Sequence, residues 1–268
     1  MHIHSQSSHD SVATVSQMAN ACIEKGVYAF AITDHCDIQY YKECGVAKLI
    51  EGSVGEATLE GKNFEGKVKI LKGIELGEGI WEKRYTDEIL AKFDYDVIIS
   101  SVHAVRYDGY TEPYSTIDFS KMTENQIDEY LCTYFDDVMQ MVSELDFDIM
   151  AHLTCPLRYI VGKYHMCVDI TKYEAQIRKI LDYVVKNSIS MEINTSGIGG
   201  FYNALMPDEW IIKMFFEMGG RFITLGSDAH IPSGVANAFE QVISYLKSLG
   251  FEGYYYYKKR KPIFVSFN

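Results

Sequence analysis

The 268-residue sequence lacks the features of a membrane-spanning or secreted protein. No apolar run approaches the ~20 residues that a membrane-crossing helix needs, and no signal peptide precedes the first histidines. The six cysteines show no CxxC pairing, which favours reduced side chains over a disulfide framework. These absences predict a soluble protein of the cytoplasm with no membrane partner.

Positive charge is also scarce. The formal net charge is −12, which disfavours a broad surface for nucleic-acid backbones but leaves room for a local basic pocket. No Gly-rich dinucleotide motif follows a predicted strand, which counts against a nicotinamide enzyme. No internal repeat, low-complexity tract or long linker is present, so residues 1–268 are predicted to form a single domain.

Several short apolar runs end in His, Asp or Glu. In RFITLGSDAH at 221–230, four largely apolar residues lead through Gly226 and Ser227 to Asp228 and His230. One such run is a weak signal, because an isolated histidine is usually a satisfied surface or core residue. Many ionisable groups at the edge of one core are costly, however, unless a cation binds them. The other runs are HIH at 2–4, FAITDH at 30–35, ILKGIE at 70–75, VIISSVH at 97–103 and FDIMAH at 147–152.

Predicted strands alternate with predicted helices along the chain, which indicates a parallel sheet with right-handed connections. The ligand-type residues follow the carboxyl ends of strands, where α/β barrels place their chemistry. We therefore expect an α/β fold, a distorted seven-stranded (β/α)7 barrel of the TIM-like kind. Residues 36–66 are poorly periodic and are predicted to form a loop over the substrate, and the tail is predicted to add a capping or edge strand. The predicted strands are 2–4, 27–33, 68–75, 96–103, 147–152, 189–194 and 222–225.

The N-terminal histidines have the alternation of a strand. His2 and His4 flank Ile3, so both imidazoles would point to one face and could bind one metal ion. His9 and Asp10 follow in a Ser-rich loop, from which either could reach inward. Asp10 could equally cap the helix that follows.

Two acidic residues at strand ends allow more than one interpretation. Glu75 is too costly to bury unpaired, so it is a candidate for bridging two cations, with a salt bridge to Lys72 or Arg84 as the second choice. Asp34 precedes His35 and could be a direct ligand or a group that orients the ring.

A basic residue follows the fifth predicted strand. Arg158 lies just beyond that strand end, where a guanidinium is suited to bind phosphate through two hydrogen bonds. A solvated surface arginine is the alternative.

Taken in order and spacing, HIH at 2–4, TDH at 33–35, Glu75, His103, His152 and SDAH at 227–230 resemble the polymerase-and-histidinol-phosphatase (PHP) superfamily. The segments AHLTCPLRY, EINTSG and FITLGSDAH are most similar to its histidinol-phosphatase branch. The resemblance implies a distorted seven-stranded barrel with three divalent metal ions, zinc, manganese or iron. It also implies hydrolysis of L-histidinol phosphate to L-histidinol and phosphate, a step of histidine biosynthesis.

The resemblance further implies a role for each matching residue. One metal would be held by His2, His4, Glu75 and Asp228; Glu75 would bridge to a second, completed by His103 and His152; the third would be held by Asp10, His35 and His230. His9 is the reserve ligand for the third site, and Arg158 would bind the substrate phosphate. A second arginine that the branch commonly carries near Gly199 and Gly200 is absent, with Lys163 or Arg106 as the conceivable substitutes.

The expected mechanism is in-line attack on phosphorus by a hydroxide that bridges two metals, since coordination lowers the pKa of water from ~15.7 to ~7. The metals and Arg158 would neutralise charge on the phosphoryl oxygens, and Asp228, Asp34 or His230 would assist proton transfer. The expected partner is a small phosphorylated substrate. Three alternatives stay open: a phosphoesterase for another small phosphate ester, a nuclease of the same superfamily, which the acidic charge disfavours, and a non-catalytic metal-binding module.

Overall fold

The computed structural model describes residues 1–267, and a parallel sheet that curls into a half-barrel lies at its centre. The strand order is β1-β3-β4-β5-β6-β7, and β2 pairs with β3 beyond the end of β1. Every pairing in this sheet is parallel, as the predicted βα alternation requires. The strands are β1 Ala29–Ile32, β2 His35–Asp37, β3 Lys69–Gly77, β4 Val97–Ser101, β5 Ile149–Met150, β6 Ser190–Asn194 and β7 Ile223–Gly226.

Helices connect the strands and cover the outer face of the sheet. Thr14 and Thr123 begin α1 and α4 with capping boxes, in which the threonine and the glutamine three residues later bond each other's backbone. Because Thr14 caps α1, the predicted alternative of Asp10 as the cap is not needed. The α-helices are α1 Val15–Glu24, α2 Val46–Asn63, α3 Lys83–Lys92, α4 Glu124–Glu144, α5 Cys155–Leu157, α6 Glu174–Lys186, α7 Glu209–Glu217 and α8 Phe239–Leu249.

The N-terminal segment lies between the two edges of the half-barrel. Ile3 forms a single parallel bridge with Ala229, and its carbonyl accepts a hydrogen bond from the Thr33 backbone N–H at 2.9 Å. The predicted strand at 2–4 was therefore wrong as a full strand, because only one of its residues pairs. The seventh strand of the sheet is β2 instead. It follows the predicted strand 27–33 after a break at Thr33 and Asp34.

The predicted loop over 36–66 was wrong, because most of that stretch is β2 and the 18-residue helix α2. The buried residues of α2 form a narrow stripe along the helix that packs against the sheet. They are Val46, Ile50, Ser53 and Ala57. Two of the four are small residues, so the apolar periodicity is weak in the sequence.

The tail forms an antiparallel hairpin of β8, Gly253–Lys258, and β9, Lys261–Ser266, which agrees with the predicted capping strand. Tyr256 and Tyr257 pack with apolar residues of β1, β3, β4 and β5, and Tyr256 reaches Lys69 at the start of β3. The hairpin thus covers the amino end of the barrel, opposite the predicted ligands. Among residues 1–267, no helix is long and apolar enough to cross a membrane.

Candidate metal centre

The predicted ligands converge at the carboxyl end of the sheet. Each is delivered by the end of a strand, the turn that follows it, or the N-terminal segment that bridges β1 and β7. Parallel strands bring such positions together although they are far apart in sequence. The converging residues are His2, His4, Asp10, His35, Glu75, His103, His152, Asp228 and His230.

Glu75 is at the centre of this cluster and is fully buried. Its Oε1 lies 2.9 Å from Nε2 of His152 and 3.1 Å from Nε2 of His103. Its Oε2 lies 2.8 Å from Nδ1 of His35 and 3.3 Å from Nε2 of His2. Both oxygens therefore face imidazoles on several sides, as expected of a bridging ligand.

Lysine and arginine do not take part in these contacts. No Lys or Arg within residues 1–267 forms an ion pair with Glu75, so the alternative of a salt bridge to Lys72 or Arg84 was wrong.

Hydrogen bonds to groups outside the cluster determine which ring nitrogen of His2, His103 and His230 faces the cluster. His2 Nδ1 lies 2.7 Å from Glu192 Oε1, and His103 Nδ1 lies 3.1 Å from Asp37 Oδ1. A carboxylate can only accept, so each Nδ1 carries the hydrogen and donates it. In the neutral ring Nε2 then has a free lone pair, and this lone pair faces Glu75. His230 is held in the same way, since its Nδ1 donates to the backbone carbonyl of Asp228 at 2.9 Å.

In this arrangement the Nε2 lone pairs of His2 and His103 face lone pairs of the Glu75 oxygens. Two facing lone pairs repel each other unless a proton or a cation lies between them. Five buried atoms of the cluster residues also make no hydrogen bond of acceptable geometry within residues 1–267: His2 Nε2, His35 Nδ1, Glu75 Oε2, His152 Nδ1 and His230 Nε2. Buried polar atoms without partners are costly, and imidazole nitrogens with carboxylate oxygens are the donors that zinc, manganese and iron prefer. The residues present therefore fit divalent metal ions.

The donor atoms fall into overlapping sets of three, each within 4.8 Å. One set, His2, His4 and Asp228, lies within the ligand group predicted for the first metal. Because these sets share residues, they do not assign each ligand to one ion. The ligands of each ion and the number of ions stay predictions. The other sets are His2, Glu75 and His152; His4, His35 and His230; and His35, Asp37 and His103.

Asp10 is better placed than His9 at the open side of the cluster. Asp10 Oδ2 lies 3.1 Å from His230 Nε2 and 3.6 Å from His35 Nε2. The ring centre of His9 is 5.3 Å from that of His35. The geometry thus favours Asp10, with His9 still the reserve ligand.

Burial and mutual charge shift the pKa values of the cluster strongly. Burial alone would lower the pKa of His2, but the carboxylates of Glu192, Glu75 and Asp228 raise it well above the ordinary value. Burial would raise the pKa of Glu75, but the imidazoles around it hold that pKa well below the ordinary value. His4 differs, since burial and the neighbouring His230 and His35 lower its pKa to about 4. His4 is therefore a neutral imidazole at pH 7.

A cavity of about 150 Å³ opens beside the cluster and is lined by Arg158 together with His103, His152 and Asp228. Arg158 follows α5, and its Nη1 donates to Ser196 Oγ at 3.2 Å. Among residues 1–267, Arg158 is the only arginine or lysine on the lining of this cavity. The guanidinium is thus next to the cluster, where a phosphate bound there would meet it.

Two cations proposed as substitutes for the absent arginine lie elsewhere. The Arg106 guanidinium stacks on the Trp81 ring at 4.3 Å, and Lys163 Nζ lies over the Tyr164 ring at 5.1 Å. Neither side chain lines the cavity, so the structure does not support Arg106 or Lys163 as a replacement for the absent arginine.

The structure does not bring the Asp34 carboxylate into the cluster. Its oxygens accept hydrogen bonds from the Ser5 backbone N–H at 2.6 Å and from the hydroxyls of Ser5, Ser8 and Ser53 at 2.5 to 2.8 Å. With these four donors, Asp34 holds the N-terminal loop and α2 against the turn before His35. A direct role in proton transfer is not supported by this geometry.

Two carboxylates of the site, Glu192 and Asp37, were missed from the sequence. Glu192 lies in the fully buried strand β6, so the argument applied to Glu75 would have found it. It bonds His2 and also accepts from the His152 backbone N–H at 2.9 Å. A Cβ at Gly226 of β7 would collide with Glu192 Oε1, so glycine at that position gives the carboxylate its space.

This chain is similar to known proteins over most of its length. The PHP domain family matches residues 1–196. The chain is 30% identical over 254 residues to a probable histidinol-phosphatase of Thermotoga maritima, which covers 94% of this chain and 92% of that protein. It is 26% identical over 253 residues to a histidinol-phosphatase of Lactococcus lactis, with 93% and 90% covered.

A solved structure shares the fold. It is the histidinol phosphate phosphatase of Lactococcus lactis in complex with zinc, L-histidinol and phosphate, with a TM-score of 0.76, 23% identity, and 98% of this chain and 97% of that one covered. This likeness confirms the predicted α/β barrel. With the family match over most of its length, the chain belongs to the PHP domain family.

Proposed function

We propose that this protein is a metal-dependent phosphomonoesterase that hydrolyses L-histidinol phosphate. The observation that carries the proposal is the convergence of imidazole and carboxylate donors on Glu75 beside a small cavity with one arginine. The relatives named as histidinol-phosphatases, which match over more than nine-tenths of this chain, support the substrate.

When bound, divalent ions would supply a nucleophile at neutral pH, because coordination lowers the pKa of water to ~7. The residues that would hold them are His2, His4, Asp10, His35, Glu75, His103, His152, Asp228 and His230. The ring hydrogens donated to Glu192 and Asp37 keep the Nε2 lone pairs of His2 and His103 directed inward.

Arg158 would bind the equatorial phosphate oxygens and offset the charge that develops on them. Ser196 orients it: the hydroxyl accepts from Arg158 at 3.2 Å and lies 3.3 Å from Asp228 Oδ2. Proton transfer to the leaving alkoxide would be assisted by Asp228, which lines the cavity.

The size of the cavity limits the substrate. About 150 Å³ admits a phosphate group and a small part of its ester, which is below the ~300 Å³ of common ligand pockets. With the net charge of −12, this small volume disfavours a nucleic-acid strand as the substrate.

A second candidate is a phosphatase for another small phosphate ester. The observation that favours it is Arg158 as the only arginine or lysine of the cavity lining within residues 1–267, because a second cation would be expected to fix a specific phosphate ester more tightly.

Phosphate release from metal-loaded protein tests the proposal. L-histidinol phosphate, p-nitrophenyl phosphate, glycerol phosphate and a single-stranded oligonucleotide are compared at equal concentrations, with Glu75→Gln as the inactive control. We expect kcat/KM for L-histidinol phosphate to exceed that for the generic esters by at least about 100-fold, or about 2.7 kcal/mol of transition-state binding. Equal rates on all esters would favour the second candidate, and no release from any of them would contradict both.

A further inference from the structure

Asp37 is a buried carboxylate that the predicted ligand set does not use. Its side chain is 9% exposed, and Oδ1 lies 3.1 Å from His103 Nδ1. The other nitrogen of that ring, Nε2, lies 3.1 Å from Glu75 Oε1. Asp37 and Glu75 therefore bond opposite sides of one imidazole.

The neighbouring strand β3 has a glycine, Gly77, where the Asp37 carboxylate needs space. Parallel pairing of β2 with β3 places Asp37 opposite Gly77. A Cβ at Gly77 would collide with Asp37 Oδ1 and would lie 3.1 Å from His103 Nδ1. Gly77 is not among the glycines with positive φ, so it is needed for space and not for backbone conformation.

The same three-part unit occurs on the other side of the cluster. There Glu192 bonds His2 Nδ1, and Gly226 of the adjacent strand provides the space. Two different strand pairs thus combine a glycine, a buried carboxylate and a cluster histidine in the same way. This repetition is not explained by packing of a single strand pair.

His103 is also held by its backbone. Glu78 Oε1 accepts hydrogen bonds from the backbone N–H groups of His103 at 2.5 Å and Ala104 at 2.9 Å. Three carboxylates, Asp37, Glu75 and Glu78, therefore surround one histidine in a buried setting.

We propose that Asp37 is a positioning residue of the metal centre, which accepts the Nδ1 hydrogen of His103 and directs the Nε2 lone pair to the ion beside Glu75. Gly77 is part of this device because it admits the carboxylate. The inference rests on the proposed metal-dependent function, and it concerns the affinity of one ion and not the reaction itself. Partners of this kind change metal affinity by roughly 10- to 100-fold.

The test measures metal binding to Asp37→Asn, Asp37→Ala and Gly77→Ala by competition with a chromophoric chelator for zinc and for manganese. Asp87→Asn is the matched control for the aspartate, since its side chain is 61% exposed and forms an ion pair with Lys83 on the surface. Gly55→Ala is the control for the glycine, because within residues 1–267 a Cβ there would meet open space beyond its own helix backbone. Circular dichroism and thermal unfolding of the metal-free variants establish that they fold.

We expect one ion to bind roughly 10- to 100-fold more weakly in Asp37→Ala and Gly77→Ala, while the other ions and both controls keep wild-type affinity. Asp37→Asn should lose less, because the amide oxygen still accepts the Nδ1 hydrogen. Excess metal should restore both stoichiometry and kcat in all three variants.

Three results would overturn the inference. Wild-type affinity in folded Asp37→Ala and Gly77→Ala would show that the contact does not act on the metal. Permanent loss of one ion at saturating metal would make Asp37 a ligand and not a positioning residue. If Asp37→Ala and Gly77→Ala do not fold, Asp37→Leu, which fills the space but cannot accept the Nδ1 hydrogen, decides, and unchanged affinity there is the contrary result. Failure of the wild-type protein to bind any metal would instead contradict the proposed function.

Discussion

Replacement of Glu75 by glutamine converts one oxygen of the metal centre into an NH2 group and removes one negative charge at nearly constant volume. In the structure the two carboxylate oxygens lie within 3.6 Å of ring nitrogens from five histidines. An amide NH2 group has no lone pair to offer an ion, so glutamine could not form the proposed bridge between two ions. The five histidines are His2, His4, His35, His103 and His152.

The expected loss is large because Glu75 is proposed as a direct ligand that bridges two ions. Outer partners of metal ligands contribute roughly 10- to 100-fold to affinity, so we expect the bridged ions to bind at least about 100-fold more weakly. We expect kcat/KM to fall by about 10³-fold or more, which corresponds to about 4 kcal/mol in the activation free energy.

The metal-free protein provides a second readout with a defined sign. Although burial lowers them, the pKa values of His2, His35 and His103 are raised well above 6.5 by their carboxylate neighbours, with Glu75 among them. A raised folded pKa contributes stability that is fully present below the unfolded pKa of ~6.5 and is lost as pH rises through the raised value. Glu75→Gln should therefore lower the free energy of unfolding more at pH 6 than at pH 9, by on the order of 3 kcal/mol at pH 6.

Metal content by mass spectrometry, phosphate release and thermal unfolding of the metal-free proteins measure these effects. Glu217→Gln is the control, because Glu217 is 62% exposed and lies 3.8 Å from Lys213 on the outer face of α7. Wild-type metal content and turnover in Glu75→Gln would refute the reasoning, since Glu75 contacts five of the predicted ligands.

Three further predictions follow from the geometry. Arg158→Ala should raise KM and lower kcat for the phosphate ester, by about 2 to 4 kcal/mol in kcat/KM, with metal content unchanged; steady-state kinetics on metal-loaded protein would detect it. Gly226→Ala should displace the Glu192 carboxylate, weaken metal binding by roughly 10- to 100-fold and destabilise the protein by about 1 to 3 kcal/mol, as measured by chelator competition and thermal unfolding. Metal affinity should fall as pH decreases through the raised pKa values of His2 and His103, because a proton and a metal ion compete for the same ring nitrogen. The expected fall is about tenfold per pH unit for each proton displaced. Binding calorimetry in buffers of different ionisation enthalpy should detect the proton release.

The sequence was sufficient for six of the seven strands of the sheet and for most of the candidate ligands. Strands that end in ionisable residues must deliver them to one end of a parallel sheet, so His103, His152 and Asp228 could be placed together without coordinates. A buried glutamate needs partners, and this reasoning found Glu75. The comparisons confirm the predicted family and the predicted α/β barrel.

Other features depend on cross-strand register, which the sequence does not contain. That Asp37 faces Gly77, and that Glu192 faces His2, follows from how β2 meets β3 and how the N-terminal segment lies against the sheet. Helix α2 was missed because small residues such as Ser53 form part of its buried stripe and weaken the apolar periodicity.

Anomalous diffraction from crystals grown with excess zinc or manganese tests the central claim most directly. We predict strong anomalous peaks between the Glu75 oxygens and the surrounding imidazoles, with ligand distances of about 2.0 to 2.2 Å. Crystals that diffract well and show no anomalous peak near Glu75 would contradict the assignment of this cluster as a metal centre.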